Sequence, residues 1–441
     1  MRGLRRLLLI MGALLYVLSL NWAYIDVIVP RYEYMGFIAN SVQPSYVSLA
    51  WLLAAVPSLW MPVRLQRPSQ VIYWLLYVIV FVPAILIPLY TLTSDIKQWF
   101  LRSLSLVGAV AMLAIMYRIT PVRIPVVPQS RVVFWLSLIV FTIVSYGYAI
   151  GVFGADCKLV SLWDVYAVRT EYKATLEHSS GIIAYLISWQ GNVINPFLIS
   201  YGLTHRLPVL LSLGMAGQFF LYSITGFKSV LSSGVLVLAL YIALRNRGNS
   251  FGLYVIWGVT TLVLLSTLMR IGLQREEMSS LLLQRVFAVP GLLTGYYFEF
   301  FSEHQKAMLG DSRLRFLFPS YPYDLSLPNL VGEVYFGRPS MSANANLWAD
   351  AYANFGFWGV FGFTFALGFL FWFLDSLARG RDPRIVSLVQ GMPGFTLANA
   401  SLMTSIFTHG IGFLVLMVFL MPQVRPKSDS LRRGEGVAGK V

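Results

Sequence analysis

Between Arg270 and Ser340 the chain sets cations, carboxylates and aromatic rings into one stretch of an otherwise apolar sequence. Arg270, Arg275, Arg285, Lys306, Arg313, Arg315 and Arg338 stand there among Glu276, Glu277, Glu299, Glu303, Glu333 and His304, with Tyr296, Tyr297, Tyr321, Tyr323 and Tyr335 between them. A guanidinium group meets phosphate with two parallel N–H donors. Tyrosine offers an apolar ring face and a hydroxyl at once. The mixture suits an anionic, sugar-like ligand.

Arg285 is the most pointed of these residues, because Gln284-Arg285-Val286-Phe287-Ala288-Val289-Pro290 gives it apolar surroundings. An arginine at membrane depth is expensive and marks either a functional site or an ion pair; Glu299 is the partner for the second reading. A second cationic group lies at 154–179, where Arg169 and Lys173 are four apart and could meet one phosphate from one helix face. The plain alternative is a solvated amphipathic helix. Gly226-Phe227-Lys228-Ser229 adds Lys228, which either snorkels to the interface or neutralises a phosphate. Asn344, Asn346, Trp348 and Asp350 form a dense polar patch before an apolar run. They read as helix caps or as amides and carboxylates facing sugar hydroxyls.

Other chemistries lack their signatures. The sequence has no Gly-Lys-Ser/Thr phosphate loop, no His-Glu-x-x-His and no Gly-x-Ser-x-Gly. The single cysteine, Cys157, rules out an internal disulfide or a cysteine metal cluster. No carboxylate pair stands spaced for a divalent ion, so neither a metal nor a cofactor is expected, and cations would have to do a metal's work at a diphosphate.

The elements that position these residues follow from composition. The chain is 57% hydrophobic and 12% charged, about half the charged fraction of a soluble domain. Apolar runs fall near 7–28, 46–62, 71–91, 99–117, 132–153, 180–203, 207–225, 230–244, 251–269, 352–374, 385–402 and 407–421. Uninterrupted runs favour helices over barrel strands. The expectation is an all-α, polytopic membrane bundle of about twelve spans. It divides into 1–269 with the loop at 154–179, a large loop at 270–351, spans over 352–421, and a disordered basic tail at 422–441. The basic start leads into a retained first helix rather than a cleaved signal peptide.

Charge orients the bundle. Of the 33 Lys and Arg, 19 lie in short segments that an even span count puts on one face with both termini. That face is expected to be cytoplasmic, leaving the two larger loops outside. The net charge of +14 is accounted for by this distribution, so no nucleic-acid partner is inferred. Residues 279–301 are apolar enough for a further span, but a central Arg285 would cost at least about 2.5 kcal/mol. An interfacial helix, or a buried re-entrant segment facing a polar cavity, is the expectation.

The segments Arg285-Val-Phe-Ala-Val-Pro290, Gly332-Glu333 through Phe336, and Met341-Ser-Ala343-Asn344-Ala-Asn346 continuing to Tyr352 and Gly356–Gly359 resemble the Wzy-type O-antigen polymerases. Asp164 through Arg169 and Gly226 through Ser229 fit the same pattern. The resemblance implies a GT-C-like membrane glycosyltransferase in the bacterial inner membrane. Such enzymes move a growing glycan from undecaprenyl diphosphate onto a new lipid-linked repeat unit at the periplasmic face, often with a Wzz-type chain-length regulator as partner. Membrane lipid and the two lipid-linked glycans, donor and acceptor, are the expected partners.

Roles follow from the chemistry. Arg169, Lys173, Lys228, Arg270, Arg275 and Arg285 are candidates to meet the diphosphate, whose charge grows as the glycosidic bond breaks. Glu333 is the first candidate for general base, with Glu171, His304 and Asp350 behind it. Asn344, Asn346, Tyr335 and Trp348 are candidates to contact sugar. Inversion at the anomeric carbon is expected. The rivals are an O-antigen ligase on the same scaffold, a lipid-linked glycan transporter, and a membrane scaffold protein. A transporter would carry charges along the middles of its helices, whereas here most lie in loops or at span ends.

Overall fold

A computed structural model describes residues 2–92, 95–125, 130–154, 165–274, 279–318 and 320–423. Cys157, Asp164, Arg275, Glu276, Glu277 and the tail from residue 424 onward lie outside the described residues. Among those described, every regular element is helical.

Among the described residues, nine helices are long and apolar enough to cross a membrane: Gly3–Met35, Gln70–Thr91, Ile96–Met116, Arg131–Phe153, Ile182–His205, Pro208–Thr225, Phe251–Leu273, Leu347–Ala378 and Leu402–Leu420. Two further apolar helices, Pro44–Leu59 and Lys228–Ala243, are shorter. The run expected as a span at 385–402 is broken into Pro383–Val389 and Gly391–Leu397. Gly391, Pro393 and Gly394 explain the break. A Cβ at Gly394 would come within 2.7 Å of Leu75 Cδ1, so this segment is pressed onto the Gln70–Leu76 helix. The expected twelve spans therefore appear as nine long helices, two shorter ones and a broken pair.

Residues 279–303 form one continuous rod: a π-helix, Ser279–Ala288, runs into an α-helix, Val289–Glu303. The α-helical part is almost wholly buried. Gly291 and Gly295, four apart, share one face, and close approach there needs the missing side chain. A Cβ at Gly291 would lie 2.6 Å from the Pro83 carbonyl oxygen, and one at Gly295 2.8 Å from Leu92 Cδ1. Small residues at this spacing let apolar helices pack backbone to backbone. Of the two expectations for this segment, burial fits a rod built into the bundle rather than a helix lying flat on its surface.

Several of the segments assigned to one face on charge touch one another. Arg5 donates to the Asn249 carbonyl, and Arg6 to those of Ser58 and Met61. The Ser69 amide and hydroxyl donate to Asp375 at 3.0 and 2.7 Å. Arg379 donates to Pro121 O, and Arg381 to Met421 O and Phe419 O. Packing divides into a large core around Tyr16, Trp74 and Phe301, a second around Phe197 and Leu374, and a small third under the Val165–Glu177 helix.

Candidate functional site

The Val165–Glu177 helix buries Val165 and Tyr172 and holds Arg169 on the same side, half-buried. It lies on the turn that ends the Pro208–Thr225 helix. Gly226 closes that turn at φ +64°, a conformation that favours glycine, and a Cβ there would meet Val165 O at 3.0 Å and Arg169 Cγ at 3.1 Å. Arg169 Nε donates to the Gly226 carbonyl oxygen at 3.0 Å. Its guanidinium stands 5.6 Å from the Phe227 ring centre, and that ring packs edge-on against Tyr172 at 5.6 Å. The next residue is Lys228, the first of its helix.

Arg285 stands on the Ser279–Ala288 π-helix, which packs into the large core through Leu283 and Phe287. Burial lowers the pKa of Lys228, and the charges of Arg169 and then Arg285 lower it further. Lys228 thus lies within electrostatic reach of both Arg169 and Arg285, two cations from segments far apart in sequence. Like charges gathered in partly buried surroundings repel, and an anion between them relieves the repulsion. Arg285 is exposed and has no hydrogen-bond or ion-pair partner among the described residues. The ion pair with Glu299 is absent: Glu299 lies nearly four turns along the rod and instead accepts a hydrogen bond from Tyr335.

Arg285 also lines a cavity of about 150 Å³ with Phe37, Phe336, Ser342 and Asn344. Ser342 Oγ donates to Asn344 Oδ1 at 3.2 Å, and the Asn344 side chain is exposed. Arg285 is the one charged residue in the lining. The cavity therefore sets one guanidinium beside an amide, a hydroxyl and an apolar wall.

The other sequence candidates divide. Asn346 is fully buried and caps the Leu347–Ala378 helix: its Oδ1 accepts from the Trp348 and Ala349 amides at 3.0 and 3.2 Å, and its Nδ2 donates to Thr294 Oγ1 at 2.7 Å. Trp348 is fully buried too, with its indole N–H on Thr364 Oγ1 at 3.0 Å. These burials correct the expectation that both face sugar, since neither offers an atom to a ligand. Lys173 is exposed on its helix while Arg169 turns to Gly226, so the pair does not converge on one partner. Arg270 sits half-exposed in the last turn of its helix.

Among the acids and bases, Glu333 is exposed on the Leu327–Phe336 helix. His304 stacks on Phe300 at 4.0 Å with Nδ1 2.8 Å from that residue's carbonyl oxygen. Asp350 lies in the first turn of the Leu347–Ala378 helix, which bends at Phe355–Gly356. None of the three lines the Arg285 cavity. Tyr335 donates to Glu299 Oε2 at 2.7 Å and stacks on Tyr296 at 4.0 Å. Burial, then Glu299, hold its phenol above the usual tyrosine range, so the hydroxyl stays a donor.

Two residues passed over in sequence stand beside this pair. Arg102, within the apolar Ile96–Met116 helix, lies within electrostatic reach of Glu299 and Tyr335. An arginine a turn and a half into an apolar helix is the signal that could have found it. Glu299 had been weighed only as a partner for Arg285. Among the described residues no three His, Cys, Asp or Glu side chains converge as metal ligands. Comparison with family models, curated proteins and solved structures found no match.

Proposed function

We propose that this chain is a membrane glycosyltransferase that polymerises undecaprenyl-diphosphate-linked oligosaccharide repeat units at the periplasmic face of the bacterial inner membrane. The observation that carries this reading is that Lys228 lies within electrostatic reach of both Arg169 and Arg285, and that Arg285 lines a cavity together with Asn344. A lipid diphosphate is a compact, multiply charged leaving group. Three preorganised cations stabilise it most when the glycosidic bond is breaking, which lowers the barrier to that step.

The reaction balances simply. An acceptor hydroxyl oxygen bonds to the anomeric carbon of the donor sugar, the carbon–oxygen bond to the diphosphate breaks, and its electron pair leaves with the phosphate. The acceptor proton passes to a base, for which Glu333, His304 and Asp350 remain candidates. Attack opposite the leaving group inverts the anomeric centre. Ser342 and Asn344 are suited to sugar hydroxyls beside the cations, and the apolar wall to the first isoprene units.

The test is reconstitution of the purified chain with synthetic lipid-linked repeats. Wild type yields a ladder of polymer and Arg285→Ala yields almost none; an undiminished ladder from Arg285→Ala contradicts the reading. Deletion in the source cell separates polymerase from ligase. Cores capped by a single repeat mark the first, bare cores the second.

A further inference from the structure

We infer that Arg102, Glu299 and Tyr335 form a second, distal subsite that holds a saccharide unit of the glycan chain away from the reacting bond. For its ligand class the inference rests on the polymerase reading. Arg102 and Glu299 come from different helices, Ile96–Met116 and Val289–Glu303, and both are half-buried. They lie within electrostatic reach, yet they form no direct ion pair among the described residues. Arg102 Nη2 donates instead to Gln98 Oε1 and, at 3.4 Å, to Ser302 Oγ. Glu299 Oε2 accepts from Tyr335 at 2.7 Å.

A guanidinium and a carboxylate that share a space without closing on each other offer donors on one side and acceptors on the other. A sugar hydroxyl both donates and accepts, and neighbouring hydroxyls can bridge such a gap. Charge-assisted hydrogen bonds of this kind are the stronger ones. The surroundings fit the same ligand. The Tyr296–Tyr335 stack lies at the carboxylate and the Phe298–Tyr352 stack nearby, with Lys306 Nζ 4.5 Å from the Tyr352 ring centre.

Two observations place the ligand. The cavity beneath Arg102, lined by Trp99, Thr294 and Phe298, is only about 10 Å³, room for one water and not for a sugar. The rim formed by Ser302, Glu303 and His304 is exposed, so the ligand sits on that side. Glu299 is fourteen residues along the rod from Arg285, roughly 20 Å at an α-helical rise. That is too far for Glu299 to take the proton of an attacking hydroxyl beside the diphosphate. The residues would hold chain already made, and so govern how long the polymer grows before release.

The experiment uses the full-length protein in nanodiscs and oligosaccharides released by mild acid from the source cell's own envelope polysaccharide. Binding is followed by saturation-transfer NMR, and product length on gels with lipid-linked repeats. Wild type binds saturably. Glu299→Gln and Arg102→Gln weaken binding about tenfold or more and shorten the polymer, while the first transfer keeps its rate. Arg285→Ala keeps oligosaccharide binding and loses the ladder. Ser302→Trp, which crowds the exposed rim without removing a charge, gives the Glu299→Gln result even if Glu299→Gln itself folds poorly. Unchanged binding and unchanged polymer length in Ser302→Trp and a folded Arg102→Gln overturn the subsite. An intact ladder in Arg285→Ala with binding still lost in Arg102→Gln overturns the diphosphate assignment and leaves the subsite standing.

Discussion

Arg169 fastens the Val165–Glu177 helix to Gly226 by donating its Nε–H to that residue's carbonyl oxygen at 3.0 Å. The bond fixes where the guanidinium stands, beside Phe227 and next to Lys228 in sequence. Lysine in its place keeps the charge but loses both the Nε donor and the flat face. Arg169→Lys is therefore expected to lower kcat/KM for polymer formation about tenfold, the scale of one lost charged hydrogen bond. Initial rates with lipid-linked repeats measure it. A full rate from Arg169→Lys would mean that charge alone suffices.

On the proposed function, Lys228 should make anion binding sensitive to alkaline pH. Burial, then Arg169 and Arg285, depress its folded-state pKa below the unfolded value. Over the window between those two values the unfolded chain binds more protons, so the empty fold gains stability from this residue as pH rises. Anion binding runs the other way, because it needs the charged form. Pyrophosphate affinity should fall as pH climbs through the lowered folded-state pKa, before the ordinary lysine range is reached. Lys228→Arg should remove that limb; titration calorimetry across pH would detect its persistence.

Asn346 serves the frame rather than the ligand. Alanine there leaves the Trp348 and Ala349 amides and the Thr294 hydroxyl short of partners in a buried place. A loss of about 1–3 kcal/mol is expected, seen as a lower melting temperature. At temperatures where the variant stays folded, KM for lipid-linked substrate should stay at the wild-type value. A raised KM with an unchanged melt would return Asn346 to the sugar-contacting set.

Gly332 keeps the cavity wall in place. A Cβ at this position would collide with the Met341 carbonyl oxygen, just before Ser342 and Asn344. Gly332→Ala should push that segment off Arg285 and cut polymer formation at least several-fold, since a small displacement of a positioned group is costly. Tryptophan fluorescence and gel filtration show whether the variant folds. A folded Gly332→Ala with a normal ladder would mean that this wall does not contact substrate.

The sequence revealed the site unevenly, for physical reasons. Arg285 stood out because an arginine in an apolar run has few cheap explanations, and its exposure at a cavity fits that. Arg169 and Lys228 were legible one by one. Their meeting was not, because it depends on a turn closed by Gly226 that seats the Val165–Glu177 helix beside the start of the Lys228–Ala243 helix. Asn346 and Trp348 misled because an amide before an apolar run suits a cap and a sugar contact equally, and only burial separates them. Arg102 escaped notice because a charge near a span end reads as snorkelling. The helical, multi-spanning character was plain from apolar runs. The span count was not, since glycine and proline at 391–394 break a stretch whose hydropathy alone looks continuous.

On the proposed function, Arg169, Lys228 and Arg285 together grip a lipid diphosphate. The most direct measurement is the affinity of undecaprenyl diphosphate for the full-length chain in nanodiscs, compared with the triple variant Arg169→Gln, Lys228→Gln, Arg285→Gln. An affinity at least about 100-fold weaker is expected in a triple variant that keeps its fold. Equal affinity in the two proteins would contradict it.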